Sequence, residues 1–205
     1  MPIDRRIVLT AAPGLLAAGA LVRPAAAQTP PPADNPRLSE RSMGDGPLVV
    51  QEFFSLTCSH CGDFGRSTWP QVKRELVQTN KIRFVWRDFP LDQIALRAAV
   101  VARYLPIPAY EPFIETLFQT QDRWAFARGV DHKTEIGKIA VLAGMPQAMF
   151  ETAWADDATA RGILELRQQG ERQYNIQATP TFVFGSRTVS GAIAFDRFQQ
   201  EVARG

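Results

Sequence analysis

The chain has 205 residues, 45% hydrophobic and 21% charged, enough to bury a sizeable core in one domain. Its formal net charge of +2 arises within residues 1–27, where Arg5, Arg6 and Arg23 outnumber Asp4. The other 20 basic and 20 acidic residues cancel, so charge gives no basis for binding nucleic acid or an anionic membrane surface.

Residues 1–27 read as an export signal. Arg5-Arg6 supply a positive start, Ile7 to Val22 an apolar stretch, and Ala25-Ala26-Ala27 a small-residue cleavage site before Gln28. The apolar run is interrupted by Pro13-Gly14 and is short for a membrane span, which favours cleavage over a retained anchor. The paired arginines fit a twin-arginine signal and an ordinary secretory signal equally well. Either route leads out of the cytosol to where disulfides persist, and the twin-arginine route points to the bacterial periplasm. Residues 28–46, with Pro30-Pro31-Pro32, Pro36, Gly44 and Gly46, read as a Pro/Gly-rich linker.

Leu48 to Phe54 is the first predicted strand, apolar on both faces as in a buried parallel strand. Glu52 interrupts it. Two readings stand: a carboxylate near an edge that reaches solvent, or a buried acid able to move protons, six residues before Cys58.

Cys58-Ser59-His60-Cys61 follows and holds the only two cysteines. A strand that ends in a Cys-x-x-Cys pair and turns into a helix is built for redox chemistry. The helix N-terminus offers unpaired N–H groups and a partial positive charge, which stabilise a thiolate. The thiolate attacks, and the second cysteine resolves the mixed disulfide. A structural staple is the weaker reading, because the loop it would close holds two residues. A metal site is weak as well. Zinc takes four ligands, His60 is badly placed between the cysteines, and His132 is distant. His60 can favour the Cys58 thiolate as a donor or imidazolium, or be a solvated residue at a helix start.

Gly62 to Val77 is the predicted helix, which Pro70 should kink rather than end, because Val72, Leu76 and Val77 continue its apolar spacing. Lys81 to Arg87 is a second strand, closed by Asp88-Phe89-Pro90. Helical signals then run over Leu91–Leu105, Pro112–Gln121, Lys133–Ala143, Pro146–Trp154 and Ala158–Tyr174, with Gly144 as a C-cap and Phe118 and Trp124 as core residues. Ala178-Thr179-Pro180-Thr181 leads into a strand over Phe182–Phe184. Gly185-Ser186 turns it into a hairpin with Arg187–Ser190, and Asp196–Ala203 is a closing helix.

Three stretches together resemble the DsbA family of thiol:disulfide oxidoreductases. They are Glu52-Phe53-Phe54-Ser55-Leu56-Thr57-Cys58-Ser59-His60-Cys61, Arg87-Asp88-Phe89-Pro90-Leu91 and Ala178-Thr179-Pro180-Thr181-Phe182. The resemblance implies an α/β, thioredoxin-like fold over residues 47–202, with a central mixed β-sheet and a helical domain inserted at about 91–175. It implies that Cys58 is the exposed attacking sulfur and Cys61 the buried resolving one, with His60 stabilising the Cys58 thiolate. A strongly lowered cysteine pKa is a known property of that family. Glu52 matches the family's buried acid and Pro180 its cis-proline. Thr179 would turn its backbone toward a bound peptide, pairing as an added strand, with Ser59 also facing the substrate.

The family's familiar dipeptide is Pro-His, whereas Ser59-His60 leaves an N–H donor in place, so the redox poise stays open. The implied function is an oxidase that donates the Cys58–Cys61 disulfide to exported thiol proteins and is recycled by a membrane redox partner. The alternatives are an isomerase or reductase, or a peptide- or metal-binding module in the same groove. No cofactor, resident metal or nucleic acid is implied, and a monomer is expected.

Overall fold

The computed structural model describes residues 35–205. The expected export signal and the first part of the expected linker, residues 28–34, lie outside the described residues.

Five strands form one mixed sheet in the order β1-β3-β2-β4-β5: β1 (Arg41–Met43), β2 (Leu48–Phe54), β3 (Ile82–Asp88), β4 (Thr181–Phe184) and β5 (Arg187–Ser190). β2 and β3 are parallel, and every other pairing is antiparallel. β2 is therefore central, which explains its near-continuous hydrophobicity. In register, Glu52 lies between Trp86 of β3 and Phe182 of β4.

Alternation along β2 sends Val50 and Phe54 into the main core with Phe84, Trp86, Phe182, Phe184 and Phe198, whereas Phe53 joins Phe89, Ile176 and Val183 in a smaller cluster. The rings of the main core pack closely. Trp69 lies 4.6 Å from Phe84, and Phe64 lies 4.6 Å from Phe182, centroid to centroid.

The chain leaves β2 through the cysteine turn into one continuous helical stretch. It comprises α1 (Ser59–Asp63), a π turn (Phe64–Thr68), α2 (Trp69–Val72) and a second π turn (Lys73–Val77). Pro70 sits in the first turn of α2, where its missing N–H costs little, so the helix shifts its ladder by one residue and continues.

Between β3 and β4 lies the helical insertion. It comprises α3 (Gln93–Tyr104), α4 (Ile107–Gln119), α5 (Gln121–Trp124), α6 (His132–Leu142), α7 (Gln147–Trp154) and α8 (Asp157–Tyr174); α9 (Phe195–Ala203) closes the fold. The Asp92 side chain caps α3 by accepting from the Ala95 N–H at 2.8 Å. Gly144, at φ +89°, ends α6 as expected, with the Met145 N–H returning to the Ala140 carbonyl. α4 begins at Ile107, five residues before the predicted start, and carries Pro112 inside it. Among the described residues, no helix is long and apolar enough to cross a membrane.

One expectation is corrected. The described part of the linker, residues 35–46, is built into the domain. Arg41, Ser42 and Met43 pair with Trp86, Val85 and Phe84 of β3. Leu38 is buried against Gly162 of α8, where a Cβ would overlap it. The Arg103 guanidinium donates to the carbonyls of Arg37 and Ser39, and Glu40 pairs with Arg83 and Arg87. Proline and glycine content read as a tether, but the partners that order this stretch lie more than forty residues away.

Candidate active site

Where β2 ends, Cys58 takes an extended conformation (φ −81°, ψ 120°) as the N-cap of α1. Its N–H donates to the Ser55 carbonyl at 3.1 Å, and its carbonyl accepts the first helical N–H, from Gly62, also at 3.1 Å. Cys58 is half-buried and Cys61 is buried. The Cys58 thiol lies 3.3 Å from the Thr179 carbonyl, to which it can donate. Thr179 immediately precedes Pro180, and the Thr179–Pro180 peptide is cis. The two stretches that the sequence held 121 residues apart thus meet at one sulfur.

The two thiols are displaced in opposite directions. The Cys58 pKa is lowered to about 5, first by a hydrogen bond from the Cys61 thiol, which outweighs partial burial. The Thr179 side chain and the main-chain N–H groups of Cys61 and His60 add to the lowering. The Thr179 hydroxyl is buried and has no hydrogen-bond partner among the described residues. Thr179 thus presents its carbonyl to the thiol. Cys61 is pushed well above the ordinary thiol value, first by burial, then by its bond to Cys58 and by the charges of Glu52 and Cys58.

Glu52 is 2% exposed, so the solvent-edge alternative falls. Its carboxyl is pushed up to about 8, chiefly by burial and further by the Cys58 charge, which favours the protonated acid at neutral pH. Its Oε1 has no hydrogen-bond partner among the described residues, and Glu52 lines a small cavity with Phe64, Trp69, Trp86, Glu111 and Phe118.

The His60 side chain is 72% exposed, with Nδ1 3.6 Å from Asp63 Oδ2. What reaches the Cys58 sulfur from this residue is its main-chain N–H. Ser59, exposed, begins α1 beside it.

Sequence reading missed the side chains that hold the turn. Thr57 Oγ1 donates to Asp92 Oδ2 at 2.6 Å, and the buried Ser55 hydroxyl accepts from the Leu91 N–H. Gln121, 2% exposed at the start of α5, donates to the carbonyls of Leu56 and Cys58 at 2.8 and 3.0 Å. Its distance along the chain left no local signal, because Gln121 stands in a run of five polar residues between Phe118 and Trp124. Among the described residues, no three His, Cys, Asp or Glu side chains group so as to hold a metal ion.

Fold and site together define a thioredoxin-type dithiol protein with an inserted helical domain. The chain belongs to the thioredoxin family, whose pattern matches residues 42–203. Among solved structures, Wolbachia pipientis alpha-DsbA1 superimposes with a TM-score of 0.74 at 26% identity, covering 81% of this chain and 90% of that one. BdbD from Bacillus subtilis shares the fold, with a TM-score of 0.70 at 16% identity over 80% of this chain and 91% of that one. The DsbA-like resemblance read from the sequence therefore holds.

Among curated proteins, one of Rickettsia typhi, provisionally named a protein-disulfide oxidoreductase, is 34% identical over 136 residues, 66% of this chain and 50% of that protein. A similarly named protein of Rickettsia felis is 31% identical over 118 residues, 57% of this chain and 42% of that protein. The chain spans about half the length of these relatives.

Proposed function

We propose that this chain is a thiol:disulfide oxidoreductase that works outside the cytosol, in the periplasm, as an oxidase of exported thiol proteins. The observation that carries the reading is the opposite displacement of the two thiols, Cys58 down to about 5 and Cys61 up. A stabilised Cys58 thiolate favours the reduced pair, so the disulfide form gives up its bond readily.

In the proposed cycle a substrate thiolate attacks Cys58 Sγ of the disulfide. A new S–S bond forms at Cys58, the Cys58–Cys61 bond breaks, and Cys61 leaves with the electron pair. Cys61 then takes a proton, for which protonated Glu52 is the nearby acid. The substrate's second thiolate attacks its own sulfur in the mixed disulfide, and Cys58 leaves as a low-pKa thiolate. The substrate loses two electrons and the enzyme dithiol gains them. A membrane redox partner would withdraw them again. His60 supports the Cys58 thiolate at the helix start, and Thr179 with cis-Pro180 and Ser59 would line the peptide path, the substrate adding as a strand. The chain would act as a monomer after removal of residues 1–27.

Equilibration of the pair against glutathione tests the direction. A potential well above the glutathione couple supports the oxidase, whereas one near thioredoxin's would make the chain a reductant or isomerase. Cys61→Ala should trap mixed disulfides at Cys58. A Cys58→Ala variant that still protects client proteins as well as wild type, with no adduct on Cys61→Ala, would replace catalysis with a peptide-binding role.

A further inference from the structure

A thiolate at a helix start draws its stabilisation from N–H groups that must point at the sulfur. Their aim depends on where the carbonyls of the same turn are held. In this chain the Cys58 carbonyl accepts one bond within the helix, from Gly62, and a second from Gln121 Nε2 at 3.0 Å. The Leu56 carbonyl accepts from the same Nε2 at 2.8 Å. Both amide hydrogens of one buried side chain thus bracket the residues on either side of Thr57.

The amide has one usable orientation. Gln121 Oε1 accepts from Arg66 Nη1 at 3.3 Å, and the same Arg66 nitrogen donates to the Phe118 carbonyl at 2.6 Å. Arg66 Nη2 donates to Asp63 Oδ1 at 2.8 Å, and Asp63 Oδ2 lies 3.6 Å from His60. Two carbonyls require a donor on one side of the amide and a guanidinium requires an acceptor on the other, so glutamine meets both needs where glutamate or methionine meets one or none. Gly62 completes the arrangement. A Cβ at position 62 would overlap Gln121 Oε1 and crowd Arg66 Nη1, so the glycine after Cys61 leaves the space the amide occupies.

Resting on the dithiol reading above, we propose that Gln121 of the helical insertion is a positioning residue for the redox turn, clamping the Leu56 and Cys58 carbonyls so that the α1 N–H groups stay aimed at the Cys58 sulfur. The insertion is then part of the redox device and sets the acidity of a thiol on the thioredoxin half.

The test is a thiolate absorbance titration of the reduced full chain, with folding followed separately by thermal unfolding. Gln121→Met should raise the Cys58 midpoint by one unit or more, a tenfold fall in thiolate fraction in the acidic range. Gly62→Ala removes no polar group and improves helix propensity, yet should raise the midpoint similarly by displacing the amide. The double variant should add nothing further. Each unit should lower the potential at pH 7 by about 30 mV. A purely structural role would change the melting temperature and leave the titration where it was. Wild-type midpoints in Gly62→Ala and in folded Gln121→Met overturn the proposal; if Gln121→Met does not fold, Gly62→Ala decides alone. The titration uses no substrate, so a chain found to reduce thiols rather than oxidise them would sink the oxidase reading and leave the clamp standing.

Discussion

The pH dependence of the reduction potential follows from which atoms keep protons. Reducing the Cys58–Cys61 disulfide takes up two electrons and as many protons as the reduced pair retains. With Cys58 lowered to about 5 and Cys61 raised, the reduced pair retains one proton between pH 5.5 and 7, on Cys61. Glu52, near 8 in the reduced protein, stays protonated across that window. Burial is the larger cause of its shift and persists in the disulfide form. One proton per two electrons gives a slope of about 30 mV per pH unit, against about 59 mV for two protons. Raising the pH from 5.5 to 7 should therefore lower the potential by about 45 mV rather than about 90 mV. Below pH 5, where Cys58 gains its proton, the slope should double. Equilibration in redox buffers of known potential at each pH, followed by alkylation and mass readout, measures the slope. A slope near 59 mV across pH 5.5–7 would mean that Cys58 keeps its proton at neutrality, and the thiolate reasoning would fail. A slope near zero would mean that both thiols ionise, against the burial of Cys61.

Two further outcomes are expected. Because the folded-state pKa of Glu52 lies above its ordinary 4.5, the folded protein holds a proton that the unfolded chain releases, and stability is lost as pH rises from 4.5 toward 8. Glu52→Gln should remove that loss, so its stability relative to wild type should rise across the window by about 4 kcal/mol; a gap in urea unfolding that does not change with pH would refute the assignment. The Arg103–Asp88 pair is almost fully buried, and Tyr110 also bonds Asp88, so Arg103→Met should cost about 3–5 kcal/mol by stranding a buried carboxylate. Asp88→Asn added to Arg103→Met should recover part of that loss in the same urea unfolding measurement.

What the sequence made legible was local or repeated. Alternation and apolar runs placed β2 to β5 within a residue or two, and the Cys-x-x-Cys pair after β2 placed Cys58 at a helix start. What escaped depends on distant partners. β1 is three residues long and exists because β3 offers an open edge to Arg41–Met43. Its flanking Pro36, Gly44 and Gly46 carry the stronger local signal. The α4 start escaped because Pro106 and Pro108 read as breakers, although Pro108 stands in the first turn of the helix, where its missing N–H matters least. Gln121 and Asp92 escaped because their task is set by carbonyls and hydroxyls on another part of the fold.

The charge logic beneath the turn ties these parts together. Glu52 and Cys61 are both buried, and a charge on Glu52 raises the cost of ionising Cys61. Two adjacent anions are costly there, and one is tolerated most easily on Cys58, the only one of the three groups with N–H donors at a helix start and partial access to water. On the proposed function, each electron pair that enters the disulfide appears as a charge on Cys58 and a protonated sulfur on Cys61. The surroundings set that division, and any group that re-aims the donors or waters the interior should alter it. On the proposed reading, Gln121 governs the first and the packing around Glu52 governs the second. The two controls are then separable: Gln121→Met should move the Cys58 titration, and Glu52→Gln should move chiefly the proton uptake at Cys61.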